Sequence, residues 1–172
     1  KPDDFDDRLN ELVAGNKIEA RVIGDPEERN SWQFEAFEVL SDETLFLQNV
    51  GQKGQLSAPV DDIWQSRDEE RDLGWDNLTV SETGEVRAEV QLFLEQRNDL
   101  DMWRAMLEGR FDFEPWYSGE MLFSLEIGVQ DLILVNPADA EYIILFAFPA
   151  ESPALEDIAQ EVEQASVEGE AI

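Results

Sequence analysis

The stretch LILVNPADAEYIILFAF, Leu132–Phe148, decides how the chain folds. Its two arms, Leu132–Val135 and Tyr142–Phe148, are apolar or aromatic at every position, and Asn136, Pro137, Ala138 and Asp139 between them are turn formers. A strand wet on one face alternates, and one without alternation is covered on both faces. The arms therefore read as neighbouring central strands of a sheet.

Working outward from them, Ser152 and Pro153 mark a helix start, and Leu155, Ile158, Ala159 and Val162 form its apolar stripe. On the amino-terminal side, Met121, Phe123, Leu125 and Ile127 alternate with Glu120, Ser124, Glu126 and Gly128, as a strand with one wet face would. A helix is expected over about Asn98–Glu108, with Leu100, Trp103, Met106 and Leu107 inward and Gly109 ending it. The clearest hairpin comes before it. Leu78 and Val80 lead into Glu82, Thr83 and Gly84, and Val86, Ala88, Val90 and Leu92 return in phase.

Nearer the amino terminus, Phe5, Leu9, Leu12 and Val13 repeat at helical spacing, and Ile18–Ile23 reads as a strand. Trp32, Phe34 and Ala36 share one phase while Phe37 and Val39 take the other, which calls for a bulge near Ala36. Thr44–Val50 is a further strand, Gly51–Gly54 a hairpin turn, and Pro59–Trp64 a short turn of helix. The expected fold class is α+β, with antiparallel sheets, about three short helices and a first half bent into a small barrel. The expected domain plan is residues 1–65, a charged link 66–72, a sheet with helices 73–163 and an acidic tail 164–172.

Charge narrows the function. The chain has 41 acidic and 12 basic side chains, a net charge of −29, and its last Lys or Arg is Arg110. Contacts to DNA, RNA or anionic lipid need Lys and Arg against phosphate, so a directly bound nucleic acid is not expected. The expected partner is cationic: a basic protein surface, a nucleic-acid-binding protein or a toxin. Absent cysteine removes disulfides and thiolate chemistry, and absent histidine removes the commonest general base. No cofactor is expected. No apolar run approaches the ~20 residues of a spanning helix. The first residue, Lys1, is not Met, which leaves room for a removed leader, although a cytoplasmic location is favoured.

Carboxylates are the only acid–base groups in quantity. Pairs such as Glu120 with Glu126, or Glu35 with Glu38, could flank a glycosidic bond, but acids occur in almost every segment and solvated surface charge accounts for them. Asp25–Ala36 and Asn98–Gly109 lack calcium-loop spacing, and Gly51–Gly54 lacks that of a phosphate loop. Arg110–Tyr117 sets aromatics among acids, either as a plug for the core or as an interface anchor.

The reading these features favour is a non-catalytic acidic protein that occludes a basic protein surface, as an inhibitor, an immunity-like protein or a nucleic-acid mimic. The expected contact face is Asp112, Glu114, Trp116, Tyr117 and Glu120, with Glu156, Asp157, Glu161 and Glu163 on the last helix. The alternatives are a domain adapted to high salt and a carboxylate- or metal-dependent enzyme.

Overall fold

The computed structural model describes residues 7–12, 16–25, 33–43, 45–79, 82–97, 99–125 and 131–166. They divide into two compact units, Lys1–Leu45 and Phe46–Ile172, and the sheets of this mixed α+β fold are open.

The first unit is a helical turn at residues 7–10 and a two-stranded antiparallel ribbon, β1 (Asn16–Ile23) with β2 (Gln33–Glu43). Arg21 pairs with Ala36 and Val22 with Phe34, so Glu35 is the additional residue of a bulge. The alternation slips there because one residue is left without a cross-strand partner. The Arg8 guanidinium stacks over the Phe37 ring at 4.8 Å and donates to the Phe37 carbonyl. Val22, Ile23 and Phe34 stand exposed at one end of the ribbon. The small barrel expected for the first half does not form. Two strands cannot close, and the next strand belongs to another sheet.

That sheet is the core of the second unit. Its five strands lie in the order β3 (Leu45–Val50), β8 (Asp131–Pro137), β9 (Tyr142–Phe148), β5 (Val86–Leu94) and β4 (Leu73–Thr79). The pairs β4–β5, β5–β9 and β8–β9 are antiparallel. Leu132–Val135 and Tyr142–Phe148 sit side by side in the middle and are buried throughout, as their unbroken apolar runs require. At β3, Ala138 N–H donates to the Val50 carbonyl, so β3 and β8 end together. Gly51–Gly54 is thus no hairpin turn. It leads through a 3-10 turn at Lys53–Gln55 into helix α1 (Val60–Gln65).

Side chains alternate across the sheet and divide the core in two. One face presents Ala88, Val90, Leu92, Ile133, Val135, Ile144, Phe146 and Phe148 to α1 and to helix α4 (Ala154–Ala165). The buried stripe of α4 is Ala154, Ile158, Val162 and Ala165. Ala159 faces solvent, and the helix continues past Gln164 to Ala165. Residues 167–172 of the expected tail lie outside the described residues.

The opposite face is covered by 102–125. Helix α2 (Met102–Leu107) begins later than expected because β6 (Gln96–Arg97) pairs with β7 (Leu100–Asp101) in a two-residue ladder, and Asp101 then caps the helix by accepting from Arg104 N–H. Trp103, Ala105 and Met106 are buried, whereas Leu100 and Leu107 are exposed. Helix α3 (Glu114–Tyr117) is a single turn. The strand expected from Met121 is absent over 121–125, which is a turn and bends. Residues 126–130, its remainder, lie outside the described residues. The N–H groups of Met121 and Leu122 donate to the Pro115 and Gly119 carbonyls, and those of Phe123 and Ser124 answer to a side chain, Glu89, rather than to a neighbouring strand.

Candidate functional site

β5 places Glu89 and Gln91 on the same face, two residues apart. Glu89 is completely buried, yet its carboxylate is surrounded by donors. Phe123 N–H lies 3.0 and 3.1 Å from its two oxygens, Ser124 N–H 2.9 Å from Oε2, and Gln91 Nε2 2.7 Å from Oε1. The Ser124 hydroxyl lies 2.7 Å from Oε2, with the Asn77 amide on its other side. Its single proton serves the carboxylate, and the Asn77 amide turned NH2-first serves the hydroxyl oxygen.

Gln91 is used to capacity. It donates to the Met121 carbonyl at 2.7 Å and accepts the Trp116 indole N–H at 3.0 Å. A buried carboxylate is tolerated only when its hydrogen-bonding capacity is met, and here it is met by one loop together with Gln91 of the same strand.

The effect is to fix residues 121–124 on the sheet. Phe123 is thereby held against Trp75 of β4, with ring centroids 5.1 Å apart and planes 19° apart. Both rings stay open to solvent, Trp75 at 43% exposure and Phe123 at 42%, and Met121 is exposed as well. We call this stacked pair the aromatic ledge.

The expected contact residues divide differently. Trp116 is 7% exposed, tilted against Phe111 and Phe113, and its indole N–H is taken by Gln91, so it packs as core. Asp112, just ahead of α3, accepts from Glu114 N–H at 2.9 Å and is exposed, as are Glu114 and Glu120. Tyr117 is half-buried. On α4, Glu156, Asp157 and Glu163 point to solvent. Glu161 is half-buried and already engaged, its Oε2 accepting both the N–H and the hydroxyl of Ser57 at 3.0 Å.

Sequence reasoning missed Glu89, Gln91, Trp75 and Phe123. The alternation about Val90 placed Glu89 and Gln91 on the face away from the first core layer. Nothing in the chain marked that face as covered. The alternation of Met121, Phe123, Leu125 and Ile127 puts Phe123 on the covered face of a strand.

Six ion pairs occur among the described residues. Their cations are Arg21, Lys53 (two pairs), Arg67, Arg71 and Arg110, and none reaches Glu156, Asp157, Glu163, Asp112, Glu114 or Glu120. Lys53 is the most enclosed of them. Its backbone N–H donates to Asp139 at 2.9 Å, and its Nζ lies 3.5 Å from Asp139 and 3.7 Å from Asp61. No group of three or more Asp or Glu able to hold a metal ion is present among the described residues. No helix among them is long and apolar enough to cross a membrane.

The arrangement offers no described reacting centre. The Glu89 carboxylate and the Ser124 hydroxyl face each other, but both are occupied and the carboxylate is sealed from solvent. Chemically it is a clamp. Comparison of the chain with protein-family models, with curated proteins and with solved structures yields no match.

Proposed function

We propose that this chain is a non-catalytic acidic binding protein that occludes a basic surface of another protein. The observation that carries the reading is the unpaired outer face of α4. Glu156, Asp157 and Glu163 are exposed there and have no cationic partner among the described residues. The nearest cations in sequence end at Arg110. Carboxylates left without internal partners attract a cationic surface from a distance and lose that attraction as salt screens them beyond ~10 Å at 0.1 M.

The experiment is a binding assay on the basic protein the chain captures, at two salt concentrations, with the triple variant E156K/D157K/E163K alongside. The expected outcome is slower association at 0.5 M than at 0.05 M NaCl, and slower again for the variant at low salt. Association indifferent to both salt and charge reversal overturns the reading.

A second reading, adaptation to concentrated salt, is favoured by a different observation. Exposed acids also stand on the ribbon (Glu19, Glu35, Glu38), on α1 (Asp61, Asp62) and in the turn after it (Asp68, Glu69, Glu70). A charge spread to hold water is distributed in this way. The readings separate on whether the protein folds without added salt.

A further inference from the structure

We propose that the aromatic ledge of Trp75 and Phe123 is the seat of an arginine side chain from the basic segment of a partner protein. The inference rests on the binding reading above and assigns it a place.

The ledge is built rather than incidental. Two large rings are each more than two-fifths exposed, yet stacked within 5.1 Å. What holds one of them there is a fully buried carboxylate that accepts from the backbone of Phe123 and Ser124. A protein that only needed to close its core would cover Phe123 instead of fastening its backbone while leaving its ring in water.

The chemistry of the occupant follows from how this protein treats its other rings. Arg67 lies over Trp64 at 4.3 Å and Arg8 over Phe37 at 4.8 Å, each a guanidinium on a π face. Trp75 and Phe123 have no such cation among the described residues. The charge of the chain favours one: its net charge is −29, Glu120 stands exposed just ahead of Met121, and no Lys or Arg follows Arg110. Guanidinium suits the site better than ammonium, since it is planar and stacks.

Two other occupants fit less well. A second copy brings a net charge of −29 against the same charge. A partner strand added along β4 meets a blocked edge. Leu73 already exchanges both backbone bonds with Asp68, and Asn77 N–H, which points to the same side, is taken by the Asp76 carboxylate at 2.7 Å. The side-chain face of β4 is accessible at Trp75, while its backbone edge is occupied on either side, at Leu73 and Asn77.

The test uses a capped tri-arginine peptide as probe, titrated into the full chain while the indole N–H resonances are followed by NMR. The Trp75 signal, assigned from Trp75→Leu, is expected to shift on titration. Affinity should fall about 3- to 30-fold for Trp75→Leu, for Phe123→Leu and for the tri-citrulline peptide. Tri-lysine should bind more weakly than tri-arginine. The ledge assignment is overturned if tri-citrulline binds as well as tri-arginine, or if both ring variants keep wild-type affinity. If E156K/D157K/E163K abolishes binding while Trp75→Leu leaves it intact, the ledge falls and the acidic-binding reading stands. If the Trp75 signal moves and the partner's association ignores salt, the ledge stands and charge steering falls.

Discussion

Glu89 has no solvent exposure, and all its donors lie within 3.1 Å: Gln91 Nε2, Phe123 N–H, Ser124 N–H and the Ser124 hydroxyl. Donors face both oxygens, so an amide in its place turns an NH2 group toward a donor in either orientation. Glu89→Gln is therefore expected to lower stability by about 2–4 kcal/mol, measured by urea unfolding. Its near-UV circular dichroism should also change, as the Trp75–Phe123 stack loosens. A variant of wild-type stability would show that the carboxylate does not hold the loop.

Tyr142 makes a second prediction at this scale. Burial, with the negative charges of Asp61, Asp139 and Glu141 and a hydrogen bond to Asp61, raises its phenol well above the ordinary value of 10. A group raised in the folded state contributes stability that is present below its unfolded pKa and is lost as pH rises through the folded one. In Tyr117→Phe, where Tyr142 is the sole tyrosine, phenolate absorbance is expected only above pH 10, together with alkaline unfolding. Asp61→Asn should move the onset down towards 10. An ordinary reversible titration near 10 in the folded protein would contradict this.

Single elements show why part of the fold was legible and part was not. The β8–β9 pair and the β4–β5 hairpin follow from runs and phases that local sequence states outright, and so does the bulge at Glu35. Where tertiary structure overrides local pattern, the reading fails. Met121–Leu125 has the alternation of a strand, but a buried carboxylate takes the N–H groups of Phe123 and Ser124 that a ladder would use. β3 joins β8, more than eighty residues away, and no local signal at Gly51 announces that. The ledge was unreadable for the same reason, because its two rings lie on segments brought together only by the clamp.

Gly74 is a further element-scale feature. A Cβ there would lie 2.9 Å from the Ile63 carbonyl oxygen and 3.1 Å from Ile63 Cγ2, so the glycine lets α1 lie directly on β4. Gly74→Ala is expected to cost about 1–3 kcal/mol in thermal or urea unfolding, because a backbone atom must move. A neutral outcome would mean that α1 shifts freely against the sheet.

At the scale of the whole molecule, a net charge of −29 on 172 residues sets the folded state against its own repulsion. Repulsion and hydration predict different salt curves. If screening alone matters, the melting midpoint climbs between 10 mM and about 0.5 M NaCl and then levels off, since the Debye length has by then fallen to a few ångströms. Each kcal/mol of repulsion removed should raise the midpoint by about 2–4 °C in a chain of this size. The core supports that expectation. Both faces of the central sheet are buried, and β8 and β9 need no cation to close them. The protein is thus expected to be folded at 10 mM salt. If it unfolds there and regains structure only as KCl approaches molar concentration, its carboxylates serve to hold water, and their lack of internal partners is no longer an argument for a cationic one.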